Sequence, residues 1–135
     1  MSTTEQQRAE EVAGRLLASL DLVDAAHACA LLRIETKDPE GVVQSLARRN
    51  EIIVLTKHEA LALPSFQFDI EEGRVFDIIH RILRLRPSDM SDLRLCYWLN
   101  RAHADFGCAP ATLLGKSDQS IVYAFMRNIE PSSHG

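Results

Sequence analysis

One short segment, residues 103–108 (HADFGC), brings together the side chains that catalysis most often uses. Its cysteine, imidazole and carboxylate could act as nucleophile, base and orienting group, provided each lies within hydrogen-bond reach of the next. The spacing matches no catalytic signature. The chain also lacks a glycine-rich phosphate loop, its five histidines are scattered, and its three cysteines have no C-x-x-C spacing. We therefore expect no enzyme, no cofactor and no bound metal.

A second set of side chains could read DNA. Its members are polar or basic residues on the outer face of one predicted helix and at the tip of the following hairpin: Gln44, Ser45, Arg48, Arg49 and Lys57. The amide and the hydroxyl suit base edges, and the arginines suit phosphates or guanine. Asp38 and Glu40 begin the same helix and would repel phosphate. The alternative interpretation is an ordinary solvated helix face.

The densest basic cluster lies further along the chain, between residues 74 and 86. Arg81 and Arg84 are three residues apart and share one face of a predicted helix. They could contact phosphate or an acidic partner. A solvated face over an apolar helix is the alternative for this cluster as well.

The charge distribution weighs against strong DNA binding. The net charge is −4, and phosphate contacts supply most of the non-specific affinity of DNA-binding proteins. Residues 21–69, which hold the candidate DNA contacts, contain eight acids and five bases, whereas residues 70–87 contain three acids and four bases. The segment predicted to read DNA is thus the most acidic part of the chain.

The elements that would position these side chains are mostly helical. Apolar residues recur at helical spacing in six segments: 2–20, 23–32, 39–49, 75–85, 89–99 and 117–126. The clear β signal runs from Ile52 to Asp69, where a β-branched run, a short polar break and a second apolar arm predict a hairpin. Helix, turn, helix and hairpin follow one another in the order of a winged helix-turn-helix, a DNA-reading architecture.

Two stretches of the chain resemble a known group of small bacterial helix-turn-helix proteins. One is Leu63 to Asp69 (LPSFQFD) followed by Gly73-Arg74-Val75, and the other combines Trp98-Leu99, Phe106-Gly107, Pro110 and Leu113-Leu114. The second stretch resembles the toxin-binding domain of Xre/ParS-type antitoxins. The resemblance implies an antitoxin that binds a cognate toxin and represses its own operon as a dimer.

The resemblance also implies a partner-binding surface. Phe106 and Leu113 belong to the stretch that carries the resemblance, and Arg81 and Arg84 of the basic cluster complete the set of candidate partner contacts. The chain departs from the antitoxin pattern where Arg101-Ala102 follows the Trp-Leu helix and where Cys108-Ala109 precedes the proline. Either departure could mean a different partner or none.

We therefore predict a mainly α fold with one short β-hairpin, a winged-helix-like N-terminal half packed on a C-terminal helical bundle. Its parts are an N-terminal helix (1–21), a winged helix-turn-helix-like part (22–69) and a helical toxin-binding-like part (70–135). The predicted function is a cytoplasmic, antitoxin-type DNA-binding regulator that forms a homodimer. The alternative is a protein-interaction adaptor or immunity-like module that keeps the fold but does not bind DNA.

Overall fold

The computed structural model describes residues 3–129, which form six α-helices, five short strands and two 3-10 turns. The helices are α1 (Thr3–Ser19), α2 (Ala25–Leu31), α3 (Pro39–Arg48), α4 (Asp77–Leu85), α5 (Asp92–Asn100) and α6 (Asp118–Ile129). The strands are β1 (Leu22–Val23), β2 (Leu55–Lys57), β3 (Ala60–Pro64), β4 (Phe68–Asp69) and β5 (Arg74–Val75). The prediction of a mainly α fold with a short hairpin is confirmed.

Local hydrogen bonds fix where α2 and α3 begin. The Asp24 carboxylate accepts a hydrogen bond from the His27 amide at 2.8 Å, and the Asp38 carboxylate accepts one from the Gly41 amide at 3.1 Å. Each satisfies a backbone donor that the first helical turn leaves free. A Cβ at residue 41 would lie 2.1 Å from an Asp38 carboxylate oxygen, so glycine makes room for this cap.

Both helices end in left-handed residues. Arg33 after α2 has φ 60°, and Asn50 after α3 has φ 58°. In each case the next amide reaches back to the helix, from Ile34 to the Cys29 carbonyl and from Glu51 to the Leu46 carbonyl, both at 2.9 Å. These are Schellman motifs, which stop a helix and turn the chain sharply.

Three strands form one small antiparallel sheet in the order β1-β3-β2. In the hairpin, Lys57 pairs with Ala60 across a two-residue turn, and on the other side of β3 Val23 pairs with Leu63. Sequence analysis placed Val23 in a helix, which is wrong, because β1 is too short to show strand alternation. A second antiparallel pair, β4 and β5, takes up Val75, which was also predicted to be helical.

The buried side chain of Gln67 replaces a missing strand partner. Residues Ile52 to Val54 were predicted to be a strand arm, but they precede β2 and have no partner in a sheet. The Gln67 amide oxygen accepts a hydrogen bond from the Ile53 amide at 2.8 Å, and its amide nitrogen donates to the Ile53 carbonyl at 2.9 Å and to the Pro64 carbonyl at 3.1 Å. The fully buried Gln67 side chain thus has both its amide oxygen and its amide nitrogen hydrogen-bonded.

The same segment is joined to the C-terminal half by Asp92. One carboxylate oxygen of Asp92 accepts a hydrogen bond from the Val54 amide at 2.9 Å, and the other forms an ion pair with Arg86. Asp92 lies in the first turn of α5, which is capped by Ser91. Burial, together with the nearby Asp92 charge, raises the pKa of the Cys96 thiol to about 12.

One cluster of buried apolar side chains runs through the described part of the chain. The inner face of α4 is fully buried through residues such as Ile78, Ile79 and Ile82. The Trp98 ring packs edge-on against Phe125 of α6, with 5.2 Å between the ring centroids. The helices of the C-terminal half and the small sheet therefore share one core.

Among residues 3–129, every helix is too short or too polar to cross a lipid bilayer.

We expect Gln67→Leu to lower the free energy of unfolding by at least about 2 kcal/mol, because each buried polar group left unpaired costs about 1–3 kcal/mol. Urea denaturation followed by circular dichroism measures the change. Gln44→Leu is the matched control, since Gln44 is exposed and its replacement should change stability by less than about 0.5 kcal/mol. Equal unfolding midpoints for wild type and Gln67→Leu would contradict the role assigned to this amide.

Candidate nucleic-acid interface

The outer face of α3 carries a row of three exposed side chains. Glu40, Gln44 and Arg48 are spaced four residues apart, so they follow one another along the same side of the helix. Val43, on one flank of this row, is fully buried and fixes the rotation of α3. The structure therefore presents Gln44 and Arg48 outward together, as an amide beside a guanidinium.

The other two candidates on this helix are less available. Ser45 is half-buried on the flank of the row. Arg49 lies just past the last residue of α3 and forms a 3.6 Å ion pair with Glu51. Within residues 3–129 Arg48 is exposed and makes no ion pair, so of the two arginines only Arg49 is paired.

The beginning of α3 is acidic. Asp38 caps the helix and Glu40 is exposed in its first turn, whereas Lys37 supplies the neighbouring positive charge. Carboxylates at a helix N-terminus are favourable for the helix, because the N-terminal end of the helix dipole is positive. The same charges disfavour a phosphate at this end. Any contact of α3 with DNA phosphates therefore falls to its C-terminal half.

The hairpin tip brings one more cation close to the start of α2. Lys57 is exposed beside the turn, and with His58 it lines a shallow cavity of about 270 Å³ whose other wall includes Leu22 and Asp24. The tip thus lies next to the start of α2. Glu59 is also exposed at the tip and offsets the charge of Lys57.

The two tip residues are held in a left-handed conformation. His58 has φ 52° and Glu59 has φ 65°. Two-residue hairpin turns of this type favour Asn-Gly, because positive φ is costly for other L-residues. The His-Glu sequence gave no signal of such a turn beyond its length and polarity.

Arg33 holds the turn after α2 against the turn between β4 and β5. Its guanidinium donates to the Glu71 carbonyl at 2.9 Å. Gly73, with φ 68°, packs so closely that a Cβ there would lie 2.7 Å from Arg33 Nε. Sequence analysis identified the Glu-Glu-Gly turn but not this contact, because its two partners are far apart in the chain.

The partner-binding candidates lie on two separate parts of the chain. Arg81 and Arg84 are exposed on the outer side of α4. Phe106 is half-buried in the loop before the second 3-10 turn, and Leu113 is half-buried at the end of that turn (Pro110–Leu113). Phe106 and Leu113 both pack against the core, so much of their surface is already used.

The segment with catalytic residue types is organised as a loop. The His103 Nε2 atom lies 2.9 Å from the Trp98 carbonyl, and Asp105 pairs with Arg127 at 3.8 Å. The Cys108 thiol receives a weak contact from the Thr112 hydroxyl at 3.5 Å. Each of the three groups thus has a different partner, and no triad geometry arises among them. Within the described residues, no three His, Cys, Asp or Glu side chains are grouped to hold a metal ion.

Comparisons of this chain with models of protein families, with curated proteins and with solved structures found no match. Function is therefore inferred from the geometry and chemistry of the residues themselves.

We expect the double substitution His58→Asn with Glu59→Gly to stabilise the protein, because it relieves positive-φ strain that costs roughly 1–2 kcal/mol per residue. Differential scanning calorimetry should show a higher melting temperature. Ala60→Gly is the control: it adds a glycine to the same hairpin, at a position paired in the strand, and should lower the melting temperature. A melting temperature below that of wild type for the double variant would show that the tip side chains contribute more than the strain costs.

Proposed function

We propose that this chain is a cytoplasmic DNA-binding regulator of the antitoxin type, built on a winged helix-turn-helix. The observation that carries the proposal is the arrangement of residues 22–64. Two short helices are followed by an antiparallel hairpin, and the strand before α2 pairs with the second strand of that hairpin. This order and pairing suit a motif that places its second helix in the major groove.

In the proposed complex, α3 is the recognition helix. Gln44 is the residue suited to a base edge, since an amide can bond an adenine bidentately. Arg48 suits guanine or a phosphate, and Lys57 at the hairpin tip suits a flanking phosphate. Ser45 and Arg49 take secondary roles, because one is half-buried and the other is paired with Glu51.

The charge of this surface determines how much of the proposed affinity for DNA comes from non-specific phosphate contacts. Residues 35–59 contain five acids and four bases, so they offer no excess of positive charge. Non-specific affinity for DNA should therefore be weak, and base contacts must supply a large share of the affinity for the operator. Such a protein would bind a single site tightly only when two copies act together.

The second half of the proposal concerns the partner. Phe106 and Leu113, from the C-terminal block that carries the resemblance, and the exposed basic pair Arg81 and Arg84 on α4 form the proposed contact surface for a cognate toxin. The exposed arginines would meet an acidic surface, and the two apolar side chains would add the unburied part of their area. The proposed regulator represses its own toxin–antitoxin operon.

A second candidate function has one specific observation in its favour. Asp38, Glu40 and Glu59 place carboxylates at both edges of the surface that would face DNA. This acidity favours a protein-interaction module that keeps the fold without reading DNA. Direct measurement of DNA binding distinguishes the two candidates.

We expect wild-type protein to bind a duplex from its own promoter at low salt, and Arg48→Gln combined with Lys57→Gln to reduce the salt slope of that binding by about 2. The slope falls because two phosphate contacts are lost. Fluorescence anisotropy at a series of salt concentrations measures it.

The matched control for this experiment is Arg81→Gln combined with Arg84→Gln, which removes two cations from α4. This variant should keep the wild-type slope and lose retention of the cognate toxin in a pull-down with purified toxin. Absence of wild-type binding to the promoter at low salt would overturn the regulator proposal in favour of the interaction module.

We expect the protein to form a homodimer, with a mass in multi-angle light scattering of twice the single-chain 15.1 kDa. Two copies of α3 would then address two half-sites. Large apolar side chains are exposed on α1 at Val12 and on α6 at Met126, and large exposed apolar patches mark interfaces. Val12→Asp and Met126→Asp locate the interface by which of them yields a monomer. A wild-type mass of 15.1 kDa at micromolar concentration would contradict the dimer.

A further inference from the structure

Two adjoining cavities lie between the end of α5, the loop of residues 101–109 and α6. The smaller has a volume of about 210 Å³ and the larger about 370 Å³. Both are lined by Asp105, Ala124 and Arg127, so they share a wall. We name the pair the α5–α6 cleft. Its size falls within the range of roughly 300–1,000 Å³ that is usual for small-molecule sites.

The smaller cavity is suited to an anion. Arg101, Arg127, His103 and Asn128 line it, and Asp105 is its one carboxylate. Arg101 lies over the Tyr97 ring at 5.4 Å from the centroid, which holds the guanidinium at the rim. His103 is fixed by its ring contact with Trp98 and by the Trp98 carbonyl, so the imidazole is ordered before any ligand binds. Two guanidiniums and an amide are the donors that a phosphate group requires.

The larger cavity is suited to a planar ring with polar edges. Phe106 and Tyr123 supply aromatic surface, and Ser117 and Ser120 supply hydroxyl groups. Tyr123 is 65% exposed, so one side of its ring is open to a stacking partner. Arg127 lies 5.6 Å from the centroid of the Tyr123 ring. Stacking of a nucleobase on such a side chain is worth about 1–3 kcal/mol.

Asp105 lies on the wall between the two cavities, 3.8 Å from Arg127. A carboxylate at this position repels an anion, yet it is a good acceptor for the hydroxyl groups of a sugar. Arg101 and His103 line only the smaller cavity, Asp105 and Arg127 line both, and Tyr123 lines only the larger, so donors come first, then an acceptor beside a donor, then an aromatic ring. A nucleoside 5′-monophosphate has its phosphate, ribose and base in the same order.

We propose that the α5–α6 cleft binds a free nucleoside 5′-monophosphate, with the phosphate at Arg101 and Arg127, the ribose at Asp105 and the base on Tyr123. This site is separate from α3 and from the hairpin tip. It does not depend on the proposed DNA binding, and its test contains neither operator nor toxin.

Isothermal titration calorimetry of the full chain tests the proposal, with AMP as the probe and with adenosine and inorganic phosphate as its two halves. AMP should bind at least tenfold more tightly than either half, because only AMP fills both cavities. Arg127→Gln and Tyr123→Ala should each weaken AMP binding at least tenfold. Arg94→Gln is the matched control, since it removes an exposed cation from α5 outside the cleft and should leave the affinity unchanged.

Each alternative outcome overturns the assignment. No heat of binding at millimolar AMP shows that the cleft is not a nucleotide site. Equal binding of AMP and inorganic phosphate shows a simple anion site, and equal binding of AMP and adenosine removes the phosphate role of the arginines. A 5′-phosphorylated pentanucleotide that binds more tightly than AMP shows that the cleft takes the end of a nucleic acid and not a free ligand. Because Arg127 and Tyr123 are largely exposed, the variants should fold, and circular dichroism of each verifies this.

Discussion

The fold depends on how the backbone of Ile52 to Val54 is hydrogen-bonded. Ile52 and Ile53 are fully buried, Val54 is partly buried, and the segment lacks a strand partner. Its polar groups could not remain unpaired in the core, because each would lose its bonds to water without compensation. Gln67 supplies both bonds to Ile53, and Asp92 supplies the bond to Val54. Two side chains from later in the sequence thus supply the hydrogen bonds that a neighbouring strand would supply in a sheet.

This arrangement makes the two halves of the chain interdependent. Asp92 belongs to α5, and it also pairs with Arg86 just after α4, so the positions of both helices are coupled to the segment that leads into the hairpin. The second link is Arg33, whose left-handed backbone is unfavourable by itself. Its bond to the Glu71 carbonyl and its packing on Gly73 offset that cost. The orientation of α2 and α3 is therefore set partly by residues outside these two helices and the first hairpin.

Sequence reasoning located the features that depend on residues close together in the chain. Asp38 caps α3 at its predicted start, because capping depends on adjacent residues. Sequence reasoning missed Gln67, whose position between Phe66 and Phe68 suggested a polar side chain facing water on an extended strand. The structure forms a 3-10 turn at Ser65–Gln67 instead, which buries Phe68 fully, Phe66 only in part and Gln67 completely. Nothing local could have shown this, since the partner of Gln67 is fourteen residues away.

The candidate site likewise has features that helical spacing predicts and features that depend on contacts outside the helix. That Gln44 and Arg48 share an exposed face follows from helical spacing, whereas the pairing of Arg49 with Glu51 depends on the turn after α3. The acids at the start of α3 stabilise the helix as caps, so the sequence cannot exchange them for basic residues without weakening the element that carries the site. The acidic residues at the N-terminus of α3 thus stabilise the helix and, at the same end, lower its affinity for phosphate. In the proposed DNA complex, specificity would then come from the few side chains in the second half of α3, and a short site bound by two copies would suit this constraint better than tight binding by one chain.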